Sequence, residues 1–203
     1  MSPQLNIATL LTWFRIAAIP LVVLVFYLPE LSDSLPWLDR PGSWTRPASA
    51  LLFALAGLTD WLDGYLARRL NQTSQFGAFL DPVADKLMVT TALAVIVEAD
   101  PQPHVAITAA IIIGRELTVS ALREWMAELG RRHHVAVSGS GKLKTILQMV
   151  GLGAMLWYLP VAGLPVYAIG KGLLLLAAGL TLWSMAVYIR AAWPHLMGQD
   201  GHS

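Results

Sequence analysis

The chain has 203 residues, 56% hydrophobic and 13% charged, with a formal net charge of +1 and no cysteine. That balance excludes an ordinary soluble domain, whose charges are spread over its surface; the net charge itself says little about partners, and no nucleic-acid partner is expected. Without cysteine there is neither a disulfide framework nor a thiolate zinc site.

Crossing a bilayer takes about 20 helical residues. The apolar runs predict six transmembrane helices, at 7–28, 47–70, 78–97, 105–125, 143–159 and 164–189, in one all-α integral membrane domain over 1–203. The start lacks a basic leader and a small-residue cleavage site, so the first run reads as a retained helix with its single cation, Arg15, inside it. Arg68 and Arg69 close the second run, and Arg131, Arg132, Lys142 and Lys144 fill the link between the fourth and fifth. The links after the third and fifth runs carry no Lys or Arg, so the positive-inside rule puts both termini and the basic links in the cytoplasm. Trp37, Trp44, Trp157 and Trp193 fall near predicted ends, as interfacial anchors do, and Gly151, Gly170 and Gly179 suit close helix packing.

The charges inside the spans share one level. Entered from outside, the second run is uncharged until Asp60 and the fourth until Arg115, and the third, read backwards, until Lys86 and Asp85. At 1.5 Å per residue these uncharged stretches cover roughly half the hydrocarbon thickness. Ionisable groups at that depth face one another or a polar cavity. The expectation is therefore a cavity open to the cytoplasm, acidic between the second and third helices and basic by the fourth and fifth.

In the second helix Asp60, Asp63, Gly64, Ala67 and Arg68 share a face, and in the third Gly77, Asp81 and Asp85 do. Facing rows of carboxylates repel unless cations intervene, and hard ions with oxygen ligands, Mg²⁺ or Mn²⁺, are the natural filling. Gly64, Ala67 and Gly77 remove bulk so that something can approach the backbone. Two other readings stay open on these residues alone. One is an ion-pair network with Arg68, Arg69 and Lys86 neutralising the acids; the other is a cation or proton transporter built on intramembrane aspartates.

The pattern Asp60-x-x-Asp63-Gly64-x-x-Ala67-Arg68, then Gly77-x-x-x-Asp81-x-x-x-Asp85, resembles the signature of the CDP-alcohol phosphotransferases at every fixed position. The resemblance implies their six-helix fold and a homodimer in the bacterial inner membrane, with the active site facing the cytoplasm. It also implies transfer of a phosphatidyl group from CDP-diacylglycerol to an alcohol with release of CMP. Further segments, among them "GRELTVSALREWMAELG" and "VAVSGSGKLKTILQM", look like members whose acceptor is sn-glycerol 3-phosphate. Carried over residue by residue, Asp60, Asp63, Asp81 and Asp85 ligate two divalent cations, and Asp85 is also the general base. Thr9, Thr12, Gly64, Ala67, Arg68, Ser74 and Gly77 receive CDP-diacylglycerol. Many relatives have Pro-Asn where this chain has Ala8 and Thr9, so Thr9 offers a hydroxyl in place of an amide. Arg115, Arg123 and Lys142 form the basic cluster that a glycerol 3-phosphate acceptor wants, with Glu116 and Glu124 orienting the arginines. Another phosphorylated alcohol, such as inositol phosphate, is the alternative acceptor.

Overall fold

The computed structural model describes residues 7–34, 42–70, 75–128 and 140–196. Among the described residues there are seven helices: α1 (Ile7–Phe26), α2 (Leu28–Ser34), α3 (Thr45–Leu70), α4 (Gln75–Ala99), α5 (Pro103–Glu128), α6 (Ser140–Trp157) and α7 (Val166–Leu196). Each predicted run becomes one long helix. The interior prolines Pro20 and Pro82 leave α1 and α4 helical, as helices of membrane proteins tolerate.

The short α2 lies in what reads as a link in the sequence. Pro29 sits in its first turn, where a missing N–H costs nothing, and the Ser32 hydroxyl donates to the Pro29 carbonyl at 2.7 Å. α2 bends from α1 by 58°. By length and apolar composition Pro103–Leu122 and Val166–Val187 are candidate membrane spans, and the bent α1–α2 pair makes a third. The described part of α4 carries Asp81, Asp85, Lys86 and Glu98, which lower its hydropathy, and Leu143–Trp157 of α6 is a shorter apolar helix; the side chains of residues 60–70 on α3 lie outside the described residues.

α1 packs on α3 and α4, α6 on α3 and α7, and α5 on α4 and α7. The shared core includes Phe26, Phe53, Leu93, Ile112, Leu152 and Leu174. Large apolar side chains such as Leu117, Ile146, Leu176 and Trp183 point outward, which suits lipid as solvent. Trp44 is exposed and Trp157 half-buried; Trp37 and the side chain of Trp193 lie outside the described residues.

α6 and α7 meet through two glycines. A Cβ on Gly170 would stand 2.8 Å from both the Gly151 carbonyl oxygen and the Ala154 Cβ, and one on Gly151 would stand 3.0 Å from the Gly170 carbonyl. Gly179 departs from the expectation: nothing lies within 4 Å of where its Cβ would be, so it opens outward and mediates no close approach. After α6 the chain passes through positive φ at Tyr158 (64°), Ala162 (50°) and Gly163 (80°). For an L residue such as Tyr158 that conformation costs about 1–2 kcal/mol.

Candidate active site

α1 and α4 are joined by two polar rungs. Thr12 and Arg15 lie one turn apart on α1, and Asp81 and Asp85 lie one turn apart on α4, so the two pairs come into register. The Thr12 hydroxyl donates to Asp81 Oδ1 at 2.6 Å, and an Arg15 guanidinium N–H donates to Asp85 Oδ1 at 2.7 Å. Arg15 is wholly buried while the Asp85 side chain is 44% exposed, so a hidden cation backs a carboxylate that opens outward. Hydrogen bonds to charged groups contribute about 1.5–3 kcal/mol each, less for the Arg15 pair because solvent reaches Asp85.

On α5, Arg115 is buried and donates to Glu116 Oε1 at 2.6 Å. Glu116 therefore orients it, as expected, and Arg115 bonds neither to Asp81 nor to Asp85. Among the described residues its Nε is buried without a hydrogen-bond partner. On α6, Lys144 is 5% exposed, and its Nζ is likewise buried with no hydrogen-bond partner among the described residues. Gln148, one turn further along, is also buried. A lysine this deep is costly to keep charged without an anion.

The other expected site residues cannot be placed against these rungs. Thr9, Asp60, Asp63, Gly64, Ala67, Arg68, Gly77, Arg123 and Lys142 lie on helices, but their side chains, and Ser74 altogether, lie outside the described residues. Among the described residues no three acidic or histidine side chains cluster as a metal centre. What is described is half of the expected carboxylate set. Asp81 and Asp85 lie on successive turns of α4 beside the Thr12 hydroxyl, an all-oxygen donor set of the type that hard divalent ions take.

Two residues here were not given a role from sequence. Arg15 had a signal: a lone cation inside an apolar run, one turn from a threonine on the same face, demands a buried anion. Lys144 was masked by its neighbours, because a basic link near a helix start reads first as cytoplasmic anchoring.

A helical bundle with acids on α4 and buried cations on α5 and α6 fits a lipid-embedded phosphotransferase. The CDP-alcohol phosphatidyltransferase family profile matches residues 5–187, and the chain belongs to that family. It is 50% identical over 196 residues, 97% of this chain and 100% of the relative, to the CDP-diacylglycerol–glycerol-3-phosphate 3-phosphatidyltransferase of Shigella flexneri serotype 5b (strain 8401). The proteins of that name from Escherichia coli (strain K12) and Shigella boydii serotype 4 (strain Sb227) match at the same 50% identity and coverage.

Proposed function

We propose that this chain transfers the phosphatidyl group of CDP-diacylglycerol to sn-glycerol 3-phosphate, giving phosphatidylglycerophosphate and CMP. The observation that carries the reading is the 50% identity along the whole length of relatives bearing that activity's name. The acceptor hydroxyl oxygen bonds to the β-phosphorus, the phosphorus–oxygen bond to CMP breaks, and the hydroxyl proton passes to Asp85. Arg15 holds that carboxylate from behind at 2.7 Å while its exposed side faces the acceptor. Asp60, Asp63, Asp81 and Asp85 would hold two divalent ions, Mg²⁺ or Mn²⁺, which when bound neutralise the charge that gathers on phosphoryl oxygens. Thr12 steadies Asp81 from the neighbouring helix.

Positive charge for the acceptor's phosphate comes from Arg115, Arg123 and Lys142, and the buried Nζ of Lys144 adds a fourth donor in need of an anion. Thr9, Thr12, Arg68 and Ser74 bond the nucleotide and diphosphate, with Gly64, Ala67 and Gly77 leaving room on the helix faces. We read the chain as one domain of six spanning helices with the site toward the cytoplasm, and as a homodimer. The distribution of basic links supports the orientation, and the family resemblance supports the dimer. Because the chain has no cysteine, single cysteines placed at Gln102 and at His133 test the orientation: only the one at His133 should resist an impermeant thiol reagent in intact cells.

The deciding assay is CMP release by purified protein in detergent with CDP-diacylglycerol and Mg²⁺. Glycerol 3-phosphate, inositol phosphate, serine and phosphatidylglycerol are compared as acceptors, with and without chelator. Chelator-sensitive release with glycerol 3-phosphate alone is the expected result. Release with another acceptor overturns the acceptor assignment, and no release with any overturns the transferase reading.

A further inference from the structure

At the opposite end of the bundle the helices enclose a second polar chamber. Its volume is about 290 Å³, with an apolar floor of Phe26, Ile96 and Met155 and polar walls that include Arg46, Tyr158 and Lys171. α4 spans both ends: from Asp85 to Ala99, at about 1.5 Å per residue, it separates the two sites by roughly 20 Å.

The charges of this chamber do not balance. Its carboxylate, Asp100, accepts from Lys171 Nζ at 2.8 Å and from the Tyr167 hydroxyl, so Lys171 and Asp100 answer each other. Arg46 has no such answer. Its guanidinium carbon lies 3.7 Å from the centre of the Phe26 ring and 5.6 Å from that of Tyr158, and among the described residues it meets no carboxylate. A guanidinium laid on a ring face keeps its N–H donors in its own plane, directed past the ring. Arg46 lines the chamber together with Tyr158 and Gln102. Tyr158 is set there through its positive-φ backbone, its ring edge-on to Tyr167 at 5.1 Å between centroids.

Position adds to the argument. The chamber is formed where α1, α3, α4, α6 and α7 begin or end, on the side whose short links are poor in cations, and the positive-inside rule depletes Lys and Arg there. Lys171 is explained by Asp100; Arg46 forms no ion pair among the described residues, and the nearby acids Glu30 and Glu98 lie by Tyr27 and outside the chamber lining. Carboxylate and phosphate both match a guanidinium fork, and phosphate is the one that an anionic phospholipid brings to a membrane face.

We propose that this chamber binds a phosphate group on the membrane face opposite the aspartates: that of an anionic phospholipid headgroup, or free phosphate from the water on that side. The assignment needs the bundle to span the membrane but not the transferase reading. The test is the thermal unfolding midpoint of delipidated protein in detergent, for the native chain, Arg46→Gln and Arg46→Lys. Each is titrated with phosphatidylglycerol in mixed micelles, with inorganic phosphate, and with phosphatidylcholine as the neutral lipid.

The native midpoint is expected to rise with phosphatidylglycerol or with phosphate and not with phosphatidylcholine. The arm that responds identifies the source. Arg46→Gln should weaken that response about tenfold, as loss of one charge-assisted contact does, and Arg46→Lys should keep part of it. The result that overturns the site is no rise in either arm, an equal rise with phosphatidylcholine, or a response unchanged in Arg46→Gln. Monodisperse elution and an unliganded midpoint close to the native one show that the variant is folded, whether or not the protein releases CMP.

Discussion

Asp85 lies on α4 and Asp100 just past its C-terminal end, each bonded to a cation at nearly the same distance, 2.7 Å to Arg15 and 2.8 Å to Lys171. Their exposure differs in a way that separates chemistry from architecture. At the first pair the cation is wholly buried and the carboxylate is 44% exposed; at the second the carboxylate is 14% exposed and the cation 22%. A buried cation behind an open carboxylate holds the acid from one side and leaves its other side to solvent. The Asp100 carboxylate accepts from both Lys171 and Tyr167 of α7 through Oδ2 and ties the end of α4 to that helix as a clamp. On the proposed mechanism, the pair whose acid is left open is the reactive one and the pair whose acid is enclosed is structural.

The largest effect should come from removing each acid in turn. Asp85→Asn is expected to lower CMP release about a thousandfold while CDP-diacylglycerol still binds, since a positioned general base contributes roughly 10²–10⁴. Asp100→Asn should leave release within about twofold and lower the unfolding midpoint in detergent instead, as loss of a structural contact far from the chemistry does. If both substitutions abolish turnover equally, the distinction between open and closed pairs fails.

Next in size is the cation behind Asp85. Arg15→Met deletes a hydrogen bond to a charged group, worth less than the usual range of about 1.5–3 kcal/mol because solvent reaches Asp85, and since each ~1.4 kcal/mol is a factor of ten the expected fall in kcat is about tenfold. Arg15→Lys should recover part of it, because an ammonium restores the charge without the planar fork. A purely structural Arg15 would instead lower stability and leave kcat per folded molecule unchanged.

The far clamp depends on how closely α6 and α7 approach, and Gly170 adjoins Lys171. Gly170→Leu forces a side chain against the Gly151 carbonyl and Ala154, each 2.8 Å from the new Cβ, and overpacking of this kind costs about 1–3 kcal/mol. Gly179→Leu, facing open space, should stay within about 0.5 kcal/mol. Paired melting curves in detergent check both, and equal losses would mean that the close approach contributes nothing to the clamp.

Much of this frame is legible in the sequence because membrane helices announce themselves by long apolar runs, and because Asp81 and Asp85 fall four residues apart on one face. What is not legible is partnership between distant segments. Arg15 meets Asp85 across 70 positions and Thr12 meets Asp81 across 69, and no local periodicity encodes which helix faces which. The far chamber escapes for the same reason: Arg46, Asp100, Tyr158 and Lys171 belong to four separate segments and look unrelated until the helix ends converge. Gly179 resembles Gly170 in sequence, yet only one of them turns toward a neighbouring helix.

The smallest expected effect sharpens the comparison by pH. Hydrogen bonding from Lys171, then from Tyr167, holds the Asp100 carboxyl below the usual carboxylate range near pH 4, against a desolvation penalty that pushes the other way. The unfolded chain, with the ordinary value, takes up this proton first as pH falls. Below pH ~4 the unfolded state therefore binds more protons at this position than the folded state does, and stability rises with pH across that window. The contribution is complete above the unfolded value and fades as pH drops through the lower folded one. Melting curves from pH 6 down to pH 3 should then show a steeper loss for the native chain than for Asp100→Asn, which has nothing to protonate there. Identical slopes in the two proteins would mean that the clamp leaves no mark on the folded protein's proton affinity.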